Sequence, residues 1–196
     1  MKQGPVYTIV FIFILTAVFT AVLAVADTFY APRIAENVVL AERRDVLYAL
    51  GLDSTGDAAA LNARFDSQVT KETVGGVDVF KQNLIGGTYG IAVPFKGSGL
   101  WGTIRGYLAV SSDFKEIAGI VFTEQQETPG LGGRIDELQY KEQFRGVPIT
   151  GAKIVYGKNG DKEIDAVTGA TITSNSVLRI VNDVLDDTLP KLEVTP

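Results

Sequence analysis

Two short segments hold the residue types with which this sequence could do chemistry. The first is Asp165–Ser174 (DAVTGATITS) and the second is Glu127–Gly133 (ETPGLGG). The 196 residues include no cysteine and no histidine, which excludes thiolate nucleophiles, imidazole bases, disulfides and metal centres with those ligands. Two routes remain. Carboxylates, hydroxyls and lysines can act directly, or a cofactor supplies the chemistry while the protein binds and orients it.

The Asp165–Ser174 segment is predicted to lie where the last strand turns into the last helix. A helix N-terminus presents unpaired N–H donors and the positive end of the helix dipole, and both favour a phosphate group. Gly169 and Ala170 are small enough to let the backbone approach an anion closely. An ordinary N-cap formed by the hydroxyl of Thr171 or Thr173 explains the same pattern. On spacing alone, the capping interpretation is favoured.

The Glu127–Gly133 segment directly follows a predicted strand. Pro129 and Gly130 suit the two central positions of a type II turn, because that turn needs a positive φ at the second of them. The glycines leave the backbone bare, and bare backbone can lie flat against a planar ligand. A surface turn without any ligand has the same composition, so both interpretations stay open here.

Overall composition limits the class of protein. The chain is 46% hydrophobic and 21% charged, which is typical of one folded domain with a further short segment. Lysine and arginine number 18 against 23 acidic residues, giving a net charge of −5 with no basic block. Nucleic acid is therefore not an expected partner, because duplex binding depends on clustered cations.

An uncharged run from Pro5 to Ala26 predicts a membrane-spanning helix, since it is long enough to cross a hydrocarbon core. Ala24-Val25-Ala26 also has the form of a signal-peptidase site, but the run exceeds the usual ~7–15 residues of a signal h-region, so a retained anchor is favoured. Lys2 precedes the helix and predicts a cytoplasmic N-terminus, although Arg33, Arg43 and Arg44 follow on the other side. The bulk of the chain is then expected outside the cytoplasm, in the periplasm if the membrane is an inner one.

Elements of both kinds are predicted behind this segment. Apolar spacing predicts a helix over Ile34–Leu50 stopped by Gly51, and residues 54–63 predict a loop with a short helix. Short β-branched and aromatic runs predict six strands. The strands are Val77–Phe80, Tyr89–Phe95, Thr103–Val110, Ile117–Thr123, Lys153–Tyr156 and Glu163–Val167. An apolar stripe predicts a last helix over Ser174–Leu189.

Short connections determine the predicted fold class. Ser111–Asp113 and Asn159-Gly160 are hairpin signals, and connections this short cannot hold crossover helices. The prediction is an α+β fold: one transmembrane helix followed by one extracytoplasmic domain with a largely antiparallel sheet and flanking helices. The predicted division is an anchor over 1–29, a helical linker over 30–72 and a domain over 73–196. Tyr140 and Phe144 are predicted core residues; Trp101 is predicted to be core or to border a pocket.

Both segments resemble the motifs of one family. Asp165–Thr171 resembles the Asp-x-x-Ser/Thr-Gly-Ala-Thr signature of proteins that carry FMN through its phosphate on the final threonine. Glu127–Gly132 resembles the Glu-Thr-Pro-Gly-Leu-Gly loop of the same family. These are the FMN-binding subunits of the sodium-translocating NADH:quinone reductase and of the Rnf electron-transport complex. The anchor, the order of the motifs and Gly99–Gly102 match as well, so the resemblance covers nearly the whole chain.

The branch of the family is left open by the sequence. Gly99-Leu100-Trp101 and the stretch Glu124–Asp136 are more similar to the quinone-reductase branch. The chain length favours the Rnf branch, because the FMN-binding subunit of the quinone reductase is usually longer. Rnf relatives often carry histidine just before the Glu-Thr-Pro loop, whereas Gln125 and Gln126 stand there in this chain.

The resemblance implies a role for each motif. Thr171 would be esterified by the phosphate of FMN, installed by a flavin transferase that uses FAD and reads a sequence including Asp165. Thr168, Gly169 and Ala170 would form the close approach, and the N–H groups of Ile172 and Thr173 would face the phosphate. One face of the isoalloxazine would be walled by Glu127, Thr128, Gly130, Leu131 and Gly132, with Leu131 against the ring. Neither a catalytic side chain nor a metal ligand is expected.

The implied function is electron relay in a membrane complex that couples redox energy to ion pumping, with other integral membrane subunits as partners. Two alternatives remain at this point. One is a membrane-tethered binding or assembly module in which both glycine-rich loops are structural. The other is a stand-alone extracytoplasmic flavin reductase that acts on a soluble acceptor.

Overall fold

The first helix, α1, extends from Pro5 to Ala49 in the computed structural model, which describes residues 4–83, 90–149 and 153–193. Among those residues, α1 is the one helix long and apolar enough to cross a membrane, and its apolar part is exposed to the surroundings. The chain divides into the units Met1–Ala41 and Glu42–Pro196. The boundaries predicted near residues 29 and 72 stay a prediction.

The end of α1 is fixed by its sequence. Gly51 adopts a φ of +74°, and the N–H of Leu52 donates to the carbonyl of Leu47 at 2.8 Å. The N–H of Gly51 donates to the carbonyl of Tyr48 at 3.0 Å, which completes a Schellman motif. The predicted helix stop at Gly51 is confirmed. A second helix, α2 (Ala58–Gln68), follows, capped by the carboxylate of Asp57.

Five consecutive strands form an antiparallel sheet in the order β1-β2-β3-β4-β5. They are β1 (Val69–Val74), β2 (Val77–Gln82), β3 (Gly90–Ser98), β4 (Thr103–Ser111) and β5 (Ile117–Glu124). The antiparallel arrangement predicted from the short connections is confirmed. Tyr89, the predicted first residue of the third strand, lies outside the described residues. Strand β1 was not predicted, because its central residues Thr70–Thr73 are all exposed and polar, so the apolar alternation that marks a strand is missing.

Side chains cover both faces of this sheet. On one face, the sheet contributes to a core that also includes α4 (Thr171–Asp183). Its residues in that core include Phe95, Ile104, Leu108, Ile120 and Phe122. On the other face, Phe80 packs edge-to-face on Phe65 of α2, and Ala49 and Leu50, at the end of α1, lie against Gly119 and Gly90. The sheet is therefore the middle layer between helices, which gives the α+β domain that the sequence predicts.

A second, two-stranded sheet forms from β6 (Gly157–Asn159) and β7 (Lys162–Ile164). The predicted Asn159-Gly160 hairpin is confirmed, with Gly160 at a φ of +63°. The predicted strand over Lys153–Tyr156 is wrong, and β7 ends at Ile164, before the predicted Val167.

Side-chain amides explain the missing strand. The amide of Asn182 accepts from the N–H of Ile154 at 2.8 Å and donates to its carbonyl at 2.9 Å. The amide of Asn159 does the same for Val155, at 3.0 and 2.7 Å. These backbone groups thus have partners without joining a sheet.

The C-terminal region is helical but begins and ends differently from the prediction. Helix α4 starts at Thr171, three residues before the predicted Ser174, and ends at Asp183. A π-helical turn (Val184–Thr188) and a short helix, α5 (Leu189–Glu193), follow it. In the predicted apolar stripe, Val177, Ile180, Val181 and Val184 are buried as predicted, and Leu185 is partly buried.

Between β5 and β6 lie a 3₁₀ turn (Gly132–Asp136) and the short helix α3 (Leu138–Glu142). The prediction that Tyr140 and Phe144 are core residues is confirmed, since both are buried and their rings lie edge-to-face at 5.5 Å.

We expect Phe144→Ala to lower the free energy of unfolding by roughly 3–5 kcal/mol, because Phe144 is fully buried and truncation leaves a cavity. Urea denaturation of the full chain in detergent measures the change. Leu138→Ala, at a residue 63% exposed, is the control and should stay within about 0.5 kcal/mol of the wild type. Equal losses in the two variants would contradict the assignment of Phe144 to the core.

Candidate functional site

Thr171 is the first residue of α4 and is exposed. The N-cap position belongs to Ala170, and no side chain among the described residues caps the helix. The interpretation of Thr171 or Thr173 as an ordinary N-cap is therefore wrong. The first-turn N–H groups of an α-helix have no acceptor within the helix, so this N-terminus keeps its capacity to bind an anion.

The turn that precedes α4 allows close approach of backbone. Gly169 has a φ of +79°, a conformation that favours glycine, and the N–H of Ala170 donates to the carbonyl of Val167 at 3.0 Å. A side chain at Gly169 would contact Leu131, because the Cδ2 of Leu131 lies 3.3 Å from the position of an added Cβ. The Thr168–Ala170 turn and the Glu127–Gly133 loop are thus neighbours.

The Glu127–Gly133 loop contains the predicted turn. The N–H of Leu131 donates to the carbonyl of Thr128 at 3.1 Å, and Gly130 has a φ of +74°. Pro129 and Gly130 occupy the two central positions, as the sequence predicts. The N–H of Gly133 donates to the same carbonyl at 2.9 Å, which turns the chain directly into the 3₁₀ turn.

The carboxylate of Glu127 joins three segments that are distant in sequence. One oxygen, Oε1, accepts from the N–H groups of Leu100 and Trp101 at 2.9 and 3.0 Å. The other, Oε2, accepts from the hydroxyl of Thr173 at 2.5 Å. Glu127 is only 4% exposed. The β3–β4 turn, the Glu127–Gly133 loop and the start of α4 therefore meet at one side chain.

Two glycines make room for that carboxylate. An added Cβ at Gly99 would overlap Oε1 of Glu127, and one at Gly132 would lie 2.6 Å from the hydroxyl oxygen of Thr173. Neither position has a positive φ, so close packing rather than backbone conformation requires glycine there. The sequence places a glutamate next to the Pro-Gly turn but does not reveal this internal role.

Large apolar side chains stand exposed on the same three segments. Leu100 is 46% exposed, Trp101 68%, Leu131 45% and Ile172 59%. The interpretation of Trp101 as a core residue is wrong: the turn that carries it lies beyond the end of the β3–β4 ladder, where nothing in the described chain covers its ring. Exposed apolar groups beside an uncapped helix N-terminus suit a ligand with an aromatic part and an anionic part.

Asp165 precedes the Thr168–Ala170 turn and borders the same groove as Thr168. Its backbone N–H donates to the side chain of Gln143 at 2.6 Å, and the residue is exposed. The groove has a volume of about 300 Å³. The polar lining of this groove includes Arg134, Glu137, Gln143, Glu163, Asp165 and Thr168.

A pair of tyrosines holds the first turn of α4, and sequence reasoning missed it. The hydroxyl of Tyr156 donates to the carbonyl of Ser174 at 2.7 Å and lies 2.9 Å from the hydroxyl of Tyr140. Burial raises the pKa of Tyr156, which keeps it a neutral donor. The hydroxyl of Ser174 accepts from the N–H of Val167 at 3.1 Å. These hydrogen bonds thus hold the first turn of α4, which carries Thr171, against the rest of the domain.

Residues 99–186 match the family model described as FMN-binding domain. That range contains all three segments that meet at Glu127. This part of the chain is therefore similar to FMN-binding domains.

The curated relatives are more specific. The chain is 32% identical over 138 residues to the NqrC subunit of the Na(+)-translocating NADH-quinone reductase of Pasteurella multocida, covering 66% of this chain and 53% of the relative. Against the same subunit of Vibrio anguillarum it is 29% identical over 143 residues, covering 68% and 52%. The chain thus spans about half the length of these relatives.

Solved structures agree with this likeness. The crystal structure of Shewanella oneidensis NqrC has a TM-score of 0.65 at 26% identity, covering 74% of this chain and 92% of that one. The structure of the same subunit from Parabacteroides distasonis has a TM-score of 0.67 at 23% identity, covering 83% of this chain and 96% of that one. At that identity, the likeness indicates a shared fold. The resemblance to this family of FMN-binding subunits is confirmed, and the relatives named here are all from the quinone-reductase branch.

Two glycine variants in the loop separate backbone strain from packing. Gly130→Ala should cost roughly 1–2 kcal/mol, because its φ is positive but its surroundings are open. Gly132→Ala should cost about 3 kcal/mol or more, because the methyl displaces Thr173 from the buried carboxylate. Urea denaturation of both full-length variants gives the comparison. A larger loss for Gly130→Ala would contradict the packing described here.

Proposed function

We propose that this chain is a membrane-anchored electron-transfer subunit that carries FMN attached through its phosphate to Thr171. It would work within an ion-translocating NADH:quinone reductase-type complex. The observation that carries the proposal is the position of Thr171. It lies exposed at the uncapped start of α4, next to side chains that suit a flavin.

The phosphate end of FMN fits the helix N-terminus. A phosphoester on Thr171 would place its charge near the first-turn N–H groups, including those of Ile172 and Thr173. The helix dipole would stabilise that charge by roughly 0.3–1 kcal/mol at an exposed site. Thr168, Gly169 and Ala170 form the turn beside it, and the positive φ at 169 favours glycine, which has no side chain to crowd the phosphate.

The ring end of FMN fits the exposed apolar surface. Leu131 reaches the Thr168–Ala170 turn, and the other apolar side chains of the site stand on the β3–β4 turn and on α4. Thr128, Gly130 and Gly132 shape the loop that carries Leu131. Burying the ring against these groups would exclude water from one of its faces, and the hydrophobic surroundings help to set a redox potential.

The bound FMN would supply one- and two-electron transfer through its ring. The protein's part is to hold and shield it. No side chain with a pKa near neutrality is needed for that work, which fits a sequence without histidine or cysteine. Thr171 is thus a modification site and takes no part in turnover.

Attachment would be a maturation step carried out by a flavin transferase. The hydroxyl oxygen of Thr171 would bond to the phosphorus that carries the riboflavin of FAD, with AMP leaving and the hydroxyl proton passing to solvent or to a base of the transferase. Asp165 is exposed at the edge of a polar groove, where a second protein can reach it. We assign Asp165 to transferase recognition on this basis.

The uncharged part of α1 would anchor the protein in the inner membrane, with the N-terminus in the cytoplasm and the domain outside. A span without charges offers no path for an ion, so pumping belongs to other integral subunits. The relatives named above favour the NADH-quinone reductase over the Rnf complex as the setting.

Thr171→Ala should abolish covalent flavin without unfolding the domain, because its side chain is exposed and unpacked. Full-length protein is expressed with a flavin transferase and run on a denaturing gel, where the wild-type band should fluoresce. Mass spectrometry of the tryptic peptide over residues 163–179 should find the added group on Thr171, not on Thr168 or Thr173.

A dark wild-type band with an unmodified peptide mass would overturn the proposal and favour a tethered binding module. Co-purification from native membranes tests the partners. A flavin-loaded protein recovered alone, with turnover on a soluble acceptor, would favour the stand-alone reductase.

Leu131→Glu should lower the midpoint potential of the flavin, because a negative charge beside the ring disfavours added electrons. The expected size is roughly 1 kcal/mol per electron for a solvent-exposed pair about 4 Å apart. Leu138→Glu, which adds the same charge at an exposed residue of α3, is the matched control. Equal potentials in the two variants would remove Leu131 from the flavin site.

A further inference from the structure

The two oxygens of the Glu127 carboxylate hold different parts of the site. Oε1 holds the backbone of the β3–β4 turn at Leu100 and Trp101, and Oε2 holds Thr173 in the first turn of α4. These partners are 26 to 46 residues away in sequence. All hydrogen bonds of this carboxylate that the structure records within residues 90–149 and 153–193 are to these protein groups.

The burial of Glu127 makes these hydrogen bonds necessary. A carboxylate that is 4% exposed has lost most of its water and needs donors from the protein. Hydrogen bonds to an ionised acceptor are stronger than those between neutral groups. Replacing the carboxylate or the Thr173 hydroxyl therefore leaves buried polar groups without partners.

The β3–β4 turn has few other restraints at its tip. The ladder ends at the pair Ser98 and Thr103, and the N–H of Gly99 donates to the carbonyl of Gly102 at 2.7 Å. The side chains of Leu100 and Trp101 are exposed, so packing in the described chain does little to orient them. The two bonds to Glu127 therefore restrain the backbone of these residues directly.

We propose that Glu127 is a positioning residue: its carboxylate holds the β3–β4 turn against α4, so that Trp101 lies beside the group carried by Thr171. The placement beside a flavin rests on the function proposed above, whereas the tie between the turn and the helix does not. Glu127 acts here through Trp101, because both oxygens of its carboxylate bond to protein donors.

Trp101 is the one tryptophan in the sequence, so its fluorescence reports on this turn alone. The first experiment uses the full chain in detergent, made without a flavin transferase. Time-resolved anisotropy should reveal more local motion of Trp101 in Glu127→Gln and in Thr173→Val than in the wild type. Thr173→Ser keeps the hydroxyl and should restore the restricted motion.

Tyr107→Phe is the control for a general loss of stability, because it removes a hydrogen bond to Glu42 in another part of the domain. It should leave the anisotropy of Trp101 unchanged. Circular dichroism checks that each variant is folded, and the Thr173 pair keeps the test valid if Glu127→Gln does not fold. If Thr173→Val is folded and its Trp101 anisotropy equals that of the wild type, the proposal that Glu127 holds the β3–β4 turn against α4 is overturned.

The second experiment uses flavin-loaded protein and tests the placement. Contact with an indole quenches flavin fluorescence, so Trp101→Phe should brighten the wild-type flavin. In a Thr173→Val background, the same substitution should have little further effect, while a Thr173→Ser background should preserve the brightening. Brightening of equal size in the wild-type and Thr173→Val backgrounds would overturn the placement of Trp101 by Glu127. An absence of flavin from every variant would count against the proposed function and leave the first experiment intact.

Discussion

A buried carboxylate with three hydrogen-bond donors is the constraint on which the site depends. Glu127 would be costly inside the domain without the two amides and the hydroxyl that it binds. Its position in turn requires glycine at 99 and at 132, since a side chain at 99 would overlap its Oε1 and one at 132 would crowd the Thr173 hydroxyl that it binds. Residue types in three separate segments are thus determined by one side chain, and the apolar groups of the site stand around it.

The layers of the domain explain how these segments reach each other. Helix α4 packs on the sheet at β3, where Gly97 leaves space for Ile180. Arg179 donates to the carbonyl of Ser98 at 2.7 Å, one residue before the β3–β4 turn begins. Packing of the helix on the sheet therefore brings the start of α4 and the end of that hairpin to the same edge of the domain.

Sequence patterns predicted much of this arrangement but not its internal contacts. Hairpin signals and short connections gave the antiparallel sheet, because turn chemistry is local. Strand β1 has a polar, exposed centre, and side-chain amides of Asn182 and Asn159 bond the backbone of Ile154 and Val155, so the strand patterns failed for both segments. The start of α4 was placed three residues late because its N-cap is an alanine, which carries no capping signal. The exposure of Trp101 and the role of Glu127 depend on tertiary contacts that no local pattern encodes.

The simple strand order has a consequence for how the domain assembles. Each strand of the main sheet pairs with its neighbour in the chain, so little chain entropy is lost in closing each hairpin. The bond between Glu127 and Thr173 instead closes a loop of 46 residues. Contacts between residues so far apart in sequence are expected to form after the sheet does. They are also expected to open before the sheet unfolds, in a partial unfolding of the domain. The nascent chain would therefore form its sheet early and the edge that holds the ligand late. Only a fully folded domain would then present the hydroxyl of Thr171 beside the other residues of the site.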